Sequence, residues 1–210
     1  MEIIDKVYSI DSIGFDSNCY IIGKNEITIV DTGASPEYAK FIIEKIRSFG
    51  LDISNIHKII ITHRHPDHIG GLKKLLELLS SNSILVYVHK KFITYYKLSN
   101  VKGLSDGEIL NLDGLLFKII YTPGHTEDSI CLYNEKYKIL ISGDTVFSFG
   151  NIGRVDLPGG NIKNLVKSIE KLAKLDVEFL LPGHMDFVME GNKHIKQSLQ
   201  FAKSNLIIYE

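Results

Sequence analysis

The sequence predicts a mixed α/β fold with helices laid against the faces of β-sheet. Three observations point there. Short β-branched and aromatic runs come in clusters, with helical stretches interleaved. Their alternation is too irregular for a simple doubly wound parallel sheet. Four of the apolar runs also end in a residue that can bind a metal ion.

The opening residues read as strands. VYSI (7–10), CYIIG (19–23) and ITIVDTG (27–33) are short and apolar, with turn residues between them. A helix follows, with Ser35 as N-cap, Pro36 in the first position and Tyr38, Phe41, Ile42, Ile46 and Phe49 at helical spacing up to Gly50. HKIIIT (57–62) is a buried-type strand that runs into a histidine-rich loop. From Ile69 a second helix carries Leu72, Leu75, Leu76 and Leu79 on one face, and ILVYVH (84–89) returns as a strand. Residues 90–113 read as a short helix and an edge strand.

LLFKIIYT (115–122), SICLYN (129–134) and KILISGD (138–144) are three further strands, and residues 147–160 form a Gly-rich loop long enough to suggest function. Asn161 caps a third long helix striped by Ile162, Leu165, Val166, Ile169, Leu172 and Ala173. VEFLLPGH (177–184) is a strand, residues 191–205 a last helix, and LIIYE (206–210) a closing strand.

The bulk numbers set the frame. A chain of 210 residues can bury a substantial core. Without a linker or an internal repeat, 1–210 is expected to be a single domain. A net charge of -1 gives no general attraction to nucleic acid or an anionic membrane. Cys19 and Cys131 lie far apart with no CxxC pattern, which favours a reducing setting. The N-terminus lacks a signal-peptide pattern, and the apolar runs fall far short of the ~20 residues of a membrane helix. The expectation is a cytoplasmic protein acting on a small molecule, with no nucleic-acid or membrane partner.

The chemistry concentrates at strand ends. KIIIT leads to His63, FKIIYTPG to His125, KILISG to Asp144 and EFLLPG to His184. Loops on a rigid scaffold are where binding residues gather. The donors are the imidazoles of His63, His65, His68, His125 and His184 with the carboxylates of Asp67 and Asp144. Imidazole and carboxylate without thiolate suit zinc, and also non-haem iron or manganese. Seven donors exceed one tetrahedral ion and suit two ions sharing a carboxylate and a water. A lone histidine at a strand end is most often a surface or hydrogen-bonded residue. Three within six positions, His63 to His68, would repel one another once protonated, which favours a metal. His57, His89 and His194 lack that context and read as ordinary.

The pattern His63-x-His65-x-Asp67-His68, then Gly124-His125, Gly143-Asp144 and Gly183-His184, with IVDTG at 29–33, resembles the metallo-β-lactamase superfamily over nearly the whole chain. The resemblance implies an αβ/βα four-layer sandwich of two mixed β-sheets flanked by helices. It also implies that His63, His65 and His125 hold a first metal, Asp67, His68 and His184 a second, and that Asp144 bridges. Within the superfamily, GDTVFSFGNIGRVDLPGG looks most like the hydroxyacylglutathione hydrolase (glyoxalase II) group. Full-length members of that group carry a further helical domain whose basic residues hold glutathione. Only 26 residues follow His184, so that domain is not expected here.

The implied chemistry is thioester hydrolysis by a metal-bridging hydroxide. Two divalent ions lower the pKa of a bridging water from 15.7 to about 7, and Asp67 is placed to orient that hydroxide. Two dications, two carboxylates and a hydroxide leave one positive charge, which suits an anionic or carbonyl-rich substrate. Two alternatives stay open: an iron-dependent persulfide dioxygenase, and a lactone or other ester hydrolase.

Around the centre, Asp31 is either a turn aspartate or an acceptor for a ligand imidazole's second N–H. Arg154 either steadies its loop or pairs with a substrate carboxylate, and Asp156 braces the same loop. Thr126 and Ser129 are expected to bond locally, Tyr95 and Tyr96 to pack in the core rather than line a pocket, and Cys131 to be buried within its strand.

Overall fold

A computed structural model describes residues 1–80, 84–96 and 98–208, the last two without their side chains. Two compact units emerge: Met1–Leu104 with Asn111–Leu115, and Ser105–Leu110 with the chain from Leu116 onward.

The first unit carries a seven-stranded sheet in the order β1 (Glu2–Ile4), β2 (Val7–Ile10), β3 (Cys19–Ile22), β4 (Ile27–Val30), β5 (Ile56–Ile60), β6 (Leu85–His89) and β7 (Val101–Leu104). Pairing is antiparallel from β1 to β4 and parallel from β4 to β7. Helix α1 (Pro36–Ser48) starts as its sequence predicts, with the Ser35 hydroxyl accepting from the Tyr38 N–H at 3.1 Å. It stops at Gly50, whose φ of 76° is open to glycine at no steric cost. Tyr38, Ala39, Ile42, Ile43 and Ile46 of α1 pack on Ile21, Ile29, Ile59 and Val86 of the sheet. The intervening Tyr20, Ile22, Val30 and Ile60 are buried too. Burial on both faces explains why these strands read as continuous apolar runs instead of alternating.

The second helix differs from its sequence reading. A short turn, α2 (Pro66–Ile69), comes first, and α3 (Leu72–Leu79) follows after Gly70 and Gly71. A Cβ on Gly70 would lie 2.0 Å from the Ala34 carbonyl oxygen, and one on Gly71 2.1 Å from that of Thr32. The glycine pair therefore lets the histidine loop lie directly on the segment after β4. Residues 90–113 form a 3-10 turn over Lys90–Tyr95 and two edge strands. Tyr96 is buried as expected, but Tyr95 is exposed and does not pack in the core.

The second unit's five-stranded sheet runs in the order β12 (Phe179–Pro182), β11 (Ile139–Gly143), β10 (Ile130–Asn134), β9 (Leu115–Tyr121) and β8 (Ile109–Leu112). β9, β10 and β11 are antiparallel neighbours, while β11 and β12 are parallel. Strands β9, β11 and β12 therefore end at one edge of the sheet. Helix α4 (Ile162–Leu172) is capped by Asn161, whose side chain accepts from the Asn164 N–H at 2.9 Å. It packs Leu165, Ile169 and Leu172 with Cys131, Leu140 and Leu180 of the sheet and Ile195 of α5 (Gly191–Ile208). The strand expected at 206–210 is a correction: helix α5 continues through Ile208, and Tyr209 and Glu210 lie outside the described residues. Strand β1 was missed because its Glu2–Ile4 segment is too short to show a period. Among the described residues no helix is long and apolar enough to cross a membrane.

Candidate metal centre

In the first unit, parallel pairing sets Val30 beside Ile60, so β4 and β5 deliver Asp31 and Thr62 side by side. Asp31 is buried at 2% exposure and sits at a φ of 62°, a left-handed conformation that Asp tolerates better than most residues. Its Oδ1 accepts from the Thr62 backbone N–H at 2.8 Å, and its Oδ2 from the Thr62 hydroxyl at 2.7 Å. The same Oδ2 accepts from His68 Nδ1 at 2.8 Å.

These bonds fix the protons. A carboxylate only accepts, so the Thr62 hydrogen points at Asp31 and its oxygen takes the Nδ1 proton of His63, 3.1 Å away. Asp31 thus orients two imidazoles, His68 directly and His63 through Thr62. Both carry their proton on Nδ1 and turn Nε2 to the other side, where a ligand nitrogen is needed. The rings are crowded: His63 and His68 have centroids 4.0 Å apart, His63 and His65 4.9 Å. The loop is anchored by its backbone as well, since the His68 carbonyl accepts from the Thr32 N–H at 2.8 Å and from its hydroxyl at 2.9 Å. The Asp67 carbonyl accepts from the Ser17 N–H at 3.0 Å.

In the second unit, β11 and β12 release Asp144 and His184 next to each other, joined by the bond from the Gly183 N–H to the Gly143 carbonyl at 2.8 Å. His125 follows β9. Its Nδ1 donates to the Arg154 carbonyl at 2.7 Å, which again leaves Nε2 as the nitrogen that could hold a metal ion. The Nε2 atoms of His125 and His184 each stand 3.5 Å from Asp144 Oδ2. Donors about 2.0–2.2 Å from one tetrahedral ion are about 3.4 Å apart, so that spacing fits atoms sharing a cation. Gly153 lies against this group: a Cβ there would come within 1.9 Å of the Asp144 carbonyl oxygen and 2.9 Å of the His125 ring.

Two groups of donors come together. His63, His65 and His125 form one, and Asp67, His68, Asp144 and His184 the other; in each, one ligand atom per residue lies within 4.8 Å of the rest. All seven sequence-predicted ligands fall in these groups. The donor chemistry, the shared Nδ1 tautomer and the spacing around Asp144 fit a pair of divalent ions. His68 and Asp144 are buried, whereas the side chains of Asp67 and His184 keep about a third of their surface (32% and 31%).

The surrounding residues resolve as follows. Asp31 is the acceptor behind the imidazoles of His68 and, through Thr62, His63. Arg154 braces its loop: its Nε and Nη2 donate to the two Asp156 oxygens at 3.0 and 2.7 Å. That pairing holds the exposed Asp156 carboxyl down to about 2. Thr126 and Ser129 bond to each other at 2.7 Å. Cys131 is buried, donates to the Ser142 carbonyl at 3.3 Å, and its thiol is pushed up to about 11 by burial. Two contributors were not foreseen. Thr62 could have been suspected from its place between the strand and His63. The Arg154 carbonyl carries no side-chain signal at all.

Comparison with known proteins agrees with this geometry. The profile of the metallo-beta-lactamase superfamily matches residues 13–184. An uncharacterized protein of Aquifex aeolicus is 33% identical over 84% of this chain and 88% of its own length. The hydroxyacylglutathione hydrolase GloC of Haemophilus influenzae is 30% identical over 90% of this chain and 94% of its own. A hydroxyacylglutathione hydrolase of Francisella tularensis subsp. novicida is 32% identical over 73% of the chain, which spans 56% of that enzyme. Among solved structures, a metallo-beta-lactamase family protein of Thermus thermophilus superposes over 99% of this chain and 82% of its own with a TM-score of 0.80, at 20% identity. A protein crystallised in a di-iron-bound form superposes over 89% of this chain and 96% of its own with a TM-score of 0.70, at 26% identity.

Two mixed sheets flanked by helices, with histidine and aspartate donors at their strand ends, define the metallo-β-lactamase fold. The chain belongs to the metallo-β-lactamase superfamily, with His/Asp clusters that support a binuclear metal site.

Proposed function

We propose that the chain is a binuclear metallohydrolase cleaving thioesters of the hydroxyacylglutathione type, with zinc as its metal. The observation that carries the reading is the pair of thiolate-free donor groups. The near full-length likeness to an enzyme named hydroxyacylglutathione hydrolase supports it.

When bound, two divalent ions supply a water of lowered pKa and a Lewis acid for the carbonyl. His63, His65 and His125 would hold one ion, and Asp67, His68 and His184 the other, with Asp144 shared. The chain's own residues do the rest. Asp31 and the Arg154 carbonyl keep the ligand rings in register, so their lone pairs need no reorientation. Asp67, partly exposed at the rim, would orient the attacking water and receive its proton. In the net reaction a water oxygen bonds to the acyl carbon, the C–S bond breaks, and the proton passes to the departing thiolate.

The test is element analysis of the as-isolated protein, with thioester hydrolysis and oxygen uptake on a persulfide measured in the matching metal form. Two ions per chain and thioester turnover abolished by a chelator are expected. A second reading, persulfide oxidation, calls for iron in the centre, a metal that a similar protein holds in its solved di-iron-bound form. One iron per chain with sulfite as product would replace the hydrolase by that reading.

A further inference from the structure

The turn at Phe149 and the loop that follows His184 expose apolar side chains that the second unit's core does not bury. Phe149 is 64% exposed, Met185 42% and Met189 56%. The first two are also strained. Phe149 sits at φ 60°, ψ 27° and Met185 at φ 68°, left-handed conformations that side chains of this kind rarely adopt.

The surroundings hold both in place. The Phe147 N–H donates to the Asn151 carbonyl at 2.9 Å, closing a tight turn with Phe149 at its tip. The Phe149 N–H donates to His194 Nδ1 at 3.0 Å, and its ring stands edge-on to the His194 ring at 5.4 Å. The Ser148 hydroxyl donates to the Asp186 carbonyl, tying this turn to the loop that carries His184 and Met185. The Phe147 ring meets the His184 ring at 5.9 Å. A strained, braced aromatic ring facing water, in the turn whose Phe147 ring meets His184, is an arrangement that folding alone does not favour. Three side chains are far too little surface for a stable protein interface, which takes about 800 Å² per partner. They suit one alkyl chain. The only cation of the 147–160 loop, Arg154, is already paired with Asp156, so that loop offers an acyl group apolar contact without an unpaired cation.

We infer that Phe149 and Met185 form a shelf for the alkyl part of the acyl group, so that the chain prefers hydroxyacyl thioesters with longer alkyl chains to lactoyl ones. The inference rests on the thioester reading. Half-burying each added methylene against the shelf gives about a twofold gain.

The experiment uses metal-loaded full-length protein and a glutathione thioester series from lactoyl to 2-hydroxyoctanoyl, in which only the alkyl length changes. In the wild type kcat/KM should rise on the order of 30-fold across the series. In Phe149→Ala, and in Phe149→Asn, which keeps the left-handed backbone, the octanoyl-to-lactoyl ratio should fall to within a few-fold of unity. A flat wild-type series, or a slope unchanged in both variants, overturns the shelf and leaves the thioesterase reading intact. If no thioester is turned over in any metal form, the thioesterase reading fails. The shelf is then read from calorimetric binding of 2-hydroxyoctanoate and lactate. Tighter octanoate binding lost in Phe149→Asn upholds it, and equal binding of the two acids overturns it.

Discussion

The two units hold the histidine and aspartate donors of the candidate centre by different means. In the first, four donors come from one six-residue stretch, and a buried side-chain network behind them, Asp31 to Thr62 and to His68, sets the ring orientations. In the second, three donors come singly from three strand ends. There the positioning is done by backbone: the Arg154 carbonyl on His125 and the Gly183-to-Gly143 bond between the loops of Asp144 and His184. A network of side chains can be broken by changing one residue type. A backbone scaffold is sensitive only to changes that move the chain. The mutational sensitivity of the two halves should therefore differ in kind.

The largest effect is expected where both designs meet the metals. Asp144→Ala removes the carboxylate that stands 3.5 Å from two imidazoles. Metal content should fall and turnover drop by more than about 100-fold. Element analysis beside a thioester assay checks this, and full metal retention would remove Asp144 from the centre.

Next comes Asp31→Asn, which preserves the left-handed backbone but replaces one acceptor oxygen by a donor. Metal affinity should weaken by about 10- to 100-fold, as for other residues that orient metal-binding imidazoles. Competition with a chelator measures it, and wild-type affinity would break the contrast between the units.

Gly153→Ala probes the backbone side. Its Cβ would strike the Asp144 carbonyl and the His125 ring, so the loop must shift. The expected cost is about 1–3 kcal/mol, seen as a lowered melting temperature together with lost metal. An unchanged melt would mean that the loop adjusts freely.

Arg154→Ala should do least. The residue works through its carbonyl, and its guanidinium is turned to Asp156 at the surface. Metal content and turnover should stay within about twofold of wild type. The sign of the pH effect follows. The folded-state carboxyl of Asp156 is depressed to about 2 from an ordinary 3.8, so its pairing contributes above the ordinary value and is lost as pH falls through about 2. Wild type and variant should therefore have the same activity profile between pH 5 and 9. A divergence there would give the guanidinium a part in the chemistry.

Much of the centre was legible because chemistry-bearing side chains leave marks at fixed spacings. His63, His65, Asp67 and His68 share one loop, and His125, Asp144 and His184 each follow an apolar strand with a glycine just before them. The fold class was legible because strands buried on both faces stay apolar throughout. What escaped detection has no residue-type signature. The His68–Asp31 bond joins residues far apart in sequence, so Asp31 could equally have been a turn aspartate. The break at Gly70 and Gly71 depends on the backbone of residues 32–34, which local periodicity does not report. The helical end of the chain was misread because LII suits a strand or a helix equally in so short a window.

The peptide oxygen that steadies His125 would be supplied by any of the twenty amino acids at position 154. The imidazole therefore keeps its bearing for as long as the path of the chain at that position is kept, whichever side chain stands there.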